Sequence, residues 1–196
     1  MRLTLASKSA ARAAVLIGAG VPFDTAGSGV DEDAVKRDLL AEGAGPKAIA
    51  EALAEAKAAA VSLSRPGLVI GADQTLDLAG ELHDKVETLE EARERLLHLR
   101  GKSHQLHSAV VVAESGQVVW RETASATLTM RDFTDTFLGS YLAQEGDAAL
   151  GSVGCYRLEG PGAQLFSKIQ GDYFAILGLP LMGLLELLRR RGILTA

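Results

Sequence analysis

Cysteine is almost absent from this chain of 196 residues, in which Cys155 is the only one. A single cysteine excludes an intrachain disulfide and any zinc site built from several thiolates. Such a chain suits a reducing compartment, and we expect a cytoplasmic protein. No general base stands next to Cys155 in the sequence, and we interpret it as a small buried residue.

Long hydrophobic runs are absent too. The longest uncharged stretch covers residues 173–185 and contains Pro180, whereas a helix needs about 20 apolar residues to cross a bilayer. The first six residues reach Ser7-Lys8 before the apolar core of a signal peptide could form, so export is not expected. Basic blocks are also lacking, since 20 basic and 25 acidic residues give a net charge of −5. We therefore expect neither a membrane nor a nucleic acid as a partner.

Hydrophobic residues make up 47% of the chain and charged residues 23%, which is typical of a globular protein with a sizeable core. We predict one domain over residues 1–196 in which strands and helices alternate, an α/β fold. The patterns predict strands at residues 2–6, 21–25, 67–72, 105–113 and 117–130, a hairpin at 76–82, and helices at 9 to about 18, 46–62, 88–101, 134–145 and 180–191.

Two charged residues stand in apolar surroundings. Asp73 follows the apolar run 67–72, and the carboxyl end of a buried strand is where open α/β sheets place their ligands. The alternative is a surface aspartate that terminates the strand. Lys57 falls between Leu53 and Val61 at the edge of the apolar face of its predicted helix. It is either a catalytic lysine at a cleft or one that buries its stem and extends its ammonium into water.

The first junction between a strand and a helix is a candidate phosphate site. Ser7-Lys8-Ser9 combines hydroxyl groups with the free N–H groups of a helix start, and Arg12 follows one turn later. The alternative is that Ser9 is an ordinary N-cap and Arg12 a solvated side chain. The chain contains neither a P-loop nor a dinucleotide-binding glycine motif.

The four histidines lack the spacing of a metal site. His104 and His107 are three residues apart in a predicted strand, which places their side chains on opposite faces. We therefore predict structural or solvent-exposed roles for all four.

Short motifs in a fixed order run through essentially the whole chain. They are Leu5-Ala6-Ser7-Lys8-Ser9 with Arg12, Val30-Asp31-Glu32, Lys57-Ala58, Gly71-Ala72-Asp73, Lys85, Gly101 with His104, Gly171-Asp172 and Gly178-Leu179-Pro180-Leu181. As an ordered set they resemble the Maf family, the septum-formation-inhibitor-like nucleotide pyrophosphatases. Where that family usually reads Ser-Pro-Arg-Arg, this chain has Ser9-Ala10-Ala11-Arg12.

The resemblance implies a fold and an activity. The fold is a mixed elongated sheet flanked by helices, with two lobes around a nucleotide cleft, as in the inosine triphosphate pyrophosphatases. The activity is hydrolysis of a nucleoside triphosphate to the monophosphate and pyrophosphate with a divalent metal cation, Mg²⁺ or Mn²⁺. A homodimer is common in the family.

The same resemblance assigns catalytic roles to charged residues of this chain. Asp73 corresponds to the family's proposed general base, which deprotonates or orients the attacking water. Arg12, Lys57 and Lys85 would neutralise the charge of the departing pyrophosphate. Glu32 and Asp73 are the candidate metal ligands, because Mg²⁺ prefers carboxylates together with phosphates and water. Without the resemblance, Glu32 would be interpreted as part of a solvated acidic loop.

Five further residues are expected to bind the substrate: Ser7, Ser9, Ala11, Gln74 and Glu159. Family members that prefer thymine and uracil nucleotides tend to carry arginine, threonine and glutamine at the last three positions. A carboxylate at 159 can accept both adjacent N–H donors of guanine. Gln74 and Glu159 also resemble the subgroup that acts on 7-methyl-GTP, whose cationic base a carboxylate favours.

Three alternatives remain open. The first is a dTTP or UTP pyrophosphatase, the second a non-catalytic nucleotide-binding regulator of cell division, and the third a phosphatase that releases single phosphate groups. Retention of Asp73, Lys57, Lys85 and Glu32 favours an enzyme, because a pure binding protein has no need of a base.

Overall fold

The computed structural model describes residues 2–195. Its strands are β1 (Leu3–Leu5), β2 (Asp24–Thr25), β3 (Leu68–Leu78), β4 (Glu81–His83), β5 (Ser103–Glu114), β6 (Gln117–Met130) and β7 (Phe166–Gln170). Its α-helices are α1 (Ala10–Gly18), α2 (Glu32–Ala41), α3 (Pro46–Ser62), α4 (Leu89–Leu99), α5 (Asp135–Glu145), α6 (Tyr173–Ile176) and α7 (Met182–Arg190). None of the helices in this range is long and apolar enough to cross a membrane.

The strands form one mixed sheet in the order β2-β1-β3-β5-β6-β7, and β4 pairs with β3 outside this path. β1 runs parallel to β2 and β3. The other pairs are antiparallel. The predicted fold class, a mixed α/β sheet flanked by helices, is confirmed.

The edge of β3 that faces β1 has a gap. β5 pairs with the opposite edge of β3 along nearly its whole length. On the edge towards β1, β1 pairs with residues 68–70 and β4 pairs with residues 76–78. Residues 71–75 therefore have no strand partner on this edge, between the two short strands. The prediction that Asp73 ends its own strand is wrong, because Asp73 lies in the middle of β3, just beyond the end of β1.

Two hydrophobic cores lie on one face of β3, because side chains two apart in a strand point the same way. Leu68, Ile70 and Ala72 belong to the first core, which includes residues of α1 and α7. Leu76 and Leu78 belong to the second core, which includes residues of α4 and α5. Gln74 is the residue of this face between them. The two cores form the two lobes, and the cleft between them begins at the gap.

α3 covers the opposite face of the sheet at short range. Its alanines pack against small residues of β5: Ala50, Ala54 and Ala58 against Ala109, Val111 and Ala113. A Cβ atom on Gly71 would overlap the backbone of Ala54 and Ala58. Glycine at position 71 thus permits the close approach that brings Lys57 of α3 to β3.

Most predicted elements are confirmed, and three elements were not predicted: α2, β7 and the short α6. The hairpin of β5 and β6, the long α3 and the capping box of Thr88 and Glu91 are present. α2 buries none of its residues, so no apolar stripe marks it in the sequence. β7 is an edge strand with mostly exposed residues, so its sequence lacks a clear alternation of apolar and polar residues.

The buried His104 makes the stability of the fold depend on pH. His104 is only 2% exposed, and burial lowers the pKa of its side chain to about 4. In the unfolded chain, histidine has a pKa of about 6.5 and binds a proton as the pH falls from 6.5 to 4, whereas His104 of the native chain stays neutral over this range. The contribution of His104 is therefore complete above pH 6.5 and is lost as the pH falls to 4.

We expect His104→Gln to flatten this pH dependence, because glutamine can still bond the Tyr156 hydroxyl, 2.7 Å from Nε2, and does not titrate. Urea unfolding at pH 7 and pH 4.5 should show that the wild type loses about 2–3 kcal/mol more than the variant over this interval. Equal losses in both proteins would contradict the account of His104.

Candidate active site

Two cavities meet at the gap in β3 and form one cleft. The first, here called the charged cavity, has a volume of about 420 Å³ and is lined by Ala6, Ser7, Lys8, Ser9, Arg12, Ser28, Gly29, Val30, Glu32, Lys57, Asp73, Gln74 and Lys85. The second, the inter-core cavity, includes Ala11, Tyr156, Arg157, Glu159 and Gly178 among its lining residues. Ser9, Arg12, Gln74 and Lys85 line both. All ten residues singled out in the sequence thus line this cleft.

A lysine between two carboxylates forms the centre of the charged cavity. The Nζ atom of Lys57 lies 2.7 Å from Oδ1 of Asp73 and 2.7 Å from Oε2 of Glu32. The Lys57 side chain is 6% exposed, so its ammonium does not extend into solvent. The alternative of a lysine that merely buries its stem is therefore wrong.

The elements around Lys57 explain how three distant residues meet. Lys57 lies in α3, whose close packing on β3 places it beside Asp73. Glu32 is the first residue of α2, directly after the N-cap Asp31. The three side chains carry a net charge of −1, and one oxygen of Asp73 has no hydrogen-bond partner among residues 2–195. The centre can accept a further cation or a proton.

Arg12 is held at the junction of the two cavities. Its Nε donates to the carbonyl of Gly178 at 3.0 Å, and its Nη1 donates to Oγ of Ser7 at 3.2 Å. Burial lowers the pKa of Arg12, while Asp73 and Glu32 act in the opposite direction. The guanidinium stays charged, because arginine is not deprotonated in proteins.

The amino end of α1 faces the same cavity. Ser9 is the N-cap and accepts a hydrogen bond from the backbone N–H of Arg12, as the alternative interpretation of Ser9 proposed, and it also lines the cleft. Across the cavity, the pKa of Lys85 is lowered, first by partial burial and then by repulsion from Arg12. Arg12 and Lys85 repel each other and lie close to the amino end of a helix. Such an arrangement of positive charge suits an anion.

The inter-core cavity presents different groups. Ala11 contributes only a methyl group, and Glu159 is exposed on the 3₁₀ and turn segment after Tyr156. This segment is anchored by Arg157, whose Nε and Nη2 donate to the two oxygens of Glu145 at 2.8 and 3.1 Å. Glu145 is buried and raises the pKa of Arg157.

Sequence reasoning missed several residues that shape the cleft. Ser28 lines the charged cavity, as does Lys8, which was placed in the candidate phosphate site from the sequence without a role of its own. Lys36 of α2 contacts Asp84 at 2.8 Å, next to Lys85. Glu145 could have been found from the sequence, because a carboxylate at the last residue of a helix is unfavourable next to the negative end of the helix dipole and needs a cationic partner.

The remaining candidate groups lie apart from this chemistry. His107 bonds Asp77 and Ser125, and His104 bonds Tyr156. Within residues 2–195 no group of three or more histidine, cysteine, aspartate or glutamate side chains could hold a metal ion. Burial raises the pKa of Cys155 to about 11, so the thiol is protonated at neutral pH, as expected of a small buried residue.

Fold and cleft together define an α/β protein with an anion site between two lobes. The sequence matches the family described as Maf-like protein over residues 2–191, and the chain belongs to the Maf family.

Three relatives cover nearly the whole chain. A nucleoside triphosphate pyrophosphatase of Caulobacter vibrioides is 60% identical over 193 residues, which are 98% of this chain and 97% of that protein. A 7-methyl-GTP pyrophosphatase of Brucella abortus is 52% identical over 97% of this chain and 96% of that protein. A nucleoside triphosphate pyrophosphatase of Granulibacter bethesdensis is 50% identical over the full length of both chains.

Lys57 also stabilises the fold, because its removal leaves Asp73, whose side chain is 11% exposed, without a counter-charge. We expect Lys57→Met to lower the free energy of unfolding by about 2–4 kcal/mol at pH 7, as measured in urea. The double variant Lys57→Met/Asp73→Asn should recover at least half of this loss, since it leaves no unpaired buried charge. A double variant that loses the sum of both single effects would contradict the pairing.

Proposed function

We propose that this protein hydrolyses a nucleoside triphosphate to the nucleoside monophosphate and pyrophosphate. The observation that carries the proposal is one cleft that joins a carboxylate, three cations and a helix amino end to a second cavity between the cores. The first group suits a triphosphate and the second a base. Relatives that are 50–60% identical over nearly the whole chain bear names with this activity.

Asp73 is the proposed general base. Lys57 holds Oδ1 at 2.7 Å, which leaves Oδ2 to accept a proton from water. The water oxygen bonds to the α-phosphorus, and the bond between that phosphorus and the α,β-bridging oxygen breaks. The proton passes to Asp73 and then to solvent, and the bridging oxygen leaves with the pyrophosphate. Activation of water by a positioned carboxylate contributes roughly 10²–10⁴-fold to such reactions.

Cations stabilise the charge that develops on the pyrophosphate. Arg12 is fixed in place by Ser7 and Gly178 before any substrate binds, so its orientation costs little when the bond breaks. Lys85 lies across the cavity, and Lys57 completes the set of three. The hydroxyl groups of Ser7 and Ser9 and the N–H groups of α1 bind phosphate oxygens.

Glu32 and Asp73 fit a divalent cation, Mg²⁺ or Mn²⁺. The ammonium of Lys57 contacts an oxygen of each, so the two carboxylates already share one cation. Two carboxylates completed by phosphate oxygens and water are a donor set typical of Mg²⁺. When bound, such an ion supplies positive charge at the phosphates.

The base is guanine or 7-methylguanine rather than thymine or uracil. Glu159 is acceptor-only and can bind the N1–H and the 2-amino group of guanine, while uracil offers a single donor between two acceptors. Ala11 leaves room where a larger side chain would narrow the inter-core cavity. The enzyme works in the cytoplasm, in keeping with a free thiol at Cys155, and we expect a homodimer.

A panel of 7-methyl-GTP, GTP, dTTP, UTP and CTP tests the proposed reaction and base together. Pyrophosphate should be released without single phosphate, and kcat/KM should be highest for a guanine-type nucleotide. Glu159→Gln should lower the preference for 7-methyl-GTP over UTP by about tenfold, because it exchanges a charged acceptor for a neutral amide.

Other outcomes of the panel separate the alternatives. A wild-type preference for dTTP or UTP, or a Glu159→Gln variant with unchanged selectivity, would contradict the assignment of the base. Failure to cleave any triphosphate favours a binding protein, and release of single phosphate groups favours a phosphatase.

Asp73→Asn tests the general base. The change keeps the size of the side chain and removes its basicity, so kcat should fall at least about a hundredfold. The circular dichroism spectrum should be unchanged. A variant with near wild-type turnover would show that another group activates the water.

A further inference from the structure

We propose that Ser108 is a positioning residue for base selection, which fixes the carboxamide of Gln74 so that only its carbonyl oxygen faces the cleft. This inference rests on the proposed function for its consequence in selectivity. The orientation of Gln74 itself depends only on the native fold.

Ser108 and Gln74 are direct neighbours across β5 and β3. The Nε2 atom of Gln74 lies 2.8 Å from Oγ of Ser108, 3.1 Å from the carbonyl oxygen of Ala175 and 3.0 Å from that of Ile176. Ser108 is fully buried, and its own hydroxyl donates to the carbonyl of Ala175 at 2.7 Å.

These acceptors determine which way the carboxamide of Gln74 is oriented, with its nitrogen towards Ser108 and α6 and its oxygen towards the cleft. The hydroxyl hydrogen of Ser108 is used on Ala175, so Oγ can only accept from Gln74. The reversed amide would place the carbonyl oxygen of Gln74 against two backbone carbonyl oxygens, which is repulsive and leaves the Gln74 oxygen without a donor. Both N–H groups of Gln74 are therefore directed away from the base.

Ser108 also connects β5 to α6. Its bond to Ala175 holds α6, whose last residue Ile176 lines the inter-core cavity together with Gly178. Loss of the hydroxyl removes one acceptor of Gln74 and one donor to α6 at the same time. The amide then gains freedom to rotate and to offer an N–H group to the cleft.

The chemical consequence is a part of the cleft wall, formed by Gln74 and Glu159, that only accepts hydrogen bonds. Oε1 of Gln74 has no donor partner among residues 2–195, and the carboxylate of Glu159 is acceptor-only as well. Such a wall favours bases that present adjacent N–H donors and disfavours the carbonyl groups of uracil and thymine. The fixed amide supplies part of the selectivity.

Side-chain amide NMR tests the orientation without any turnover. The Gln74 amide signals, assigned by their loss in Gln74→Ala, should exchange with water at least about tenfold more slowly than those of the exposed Gln117. Ser108→Ala should bring the Gln74 rate close to that of Gln117. Equally fast exchange of both in the wild type would overturn the proposal.

Binding of 7-methyl-GMP and UMP, measured by calorimetry, tests the consequence. The ratio of the two dissociation constants should shift about three- to tenfold towards UMP in Ser108→Ala, the size expected for one buried hydrogen bond. In a Gln74→Ala background the same change should have no further effect. Equal shifts in both backgrounds would show that Ser108 does not act through Gln74.

Two further variants control for stability. Ser125→Ala removes a serine hydroxyl from the neighbouring strand, where it bonds His107 away from the cleft, and should leave the ratio unchanged. Ser108→Cys keeps the shape of the side chain but bonds weakly, and it replaces Ser108→Ala if the alanine variant unfolds at too low a temperature. Its ratio of dissociation constants should shift as expected for the alanine variant. A wild-type ratio in Ser108→Cys would overturn the proposal. A protein that cleaves no triphosphate contradicts the proposed function alone, because neither readout uses turnover.

Discussion

The ammonium of Lys57 between the carboxylates of Asp73 and Glu32 is the interaction on which the cleft depends. It joins β3, α3 and α2 at one point. α2 buries none of its residues, so polar contacts such as this one and the Lys36 pair with Asp84 hold it in place. A buried ammonium needs its counter-charges, and this need fixes the position of both carboxylates.

The gap in the edge of β3 gives that charged centre access to a substrate. β1 and β4 are too short to cover residues 71–75. Successive residues of a strand point to opposite faces, so Asp73 faces α3 while Gln74 faces the two cores. Because the edge beside them is open, both side chains line one cleft. The residues proposed for the chemistry and for base recognition are thus adjacent in one strand.

Local patterns predicted the elements whose residues are close in sequence. The β5 and β6 hairpin, α3 and the capping box of α4 follow from alternation, helix-forming alanines and N-cap spacing. Asp73 and Lys57 were singled out because charge is unusual in apolar runs. Their roles, and that of Glu32, came from the resemblance to the Maf family rather than from the residues alone.

Features that depend on contacts between segments far apart in the chain could not be predicted from the sequence. The gap depends on where β1 ends, about 65 residues before Asp73 in the chain, and no local pattern reports it. The bonds of Ser108 to Ala175 and of Glu145 to Arg157 likewise join segments that only the fold brings together. In sequence, Ser108 is one polar residue in a buried strand, with nothing to indicate its partner.

Hydrolysis in H₂¹⁸O tests the central claim most directly, because the proposed mechanism directs water at the α-phosphorus. With 7-methyl-GTP or GTP as substrate, mass spectrometry of the products should find one ¹⁸O atom in the nucleoside monophosphate and none in the pyrophosphate. Label in the pyrophosphate, or a nucleoside diphosphate and labelled phosphate as products, would contradict the account.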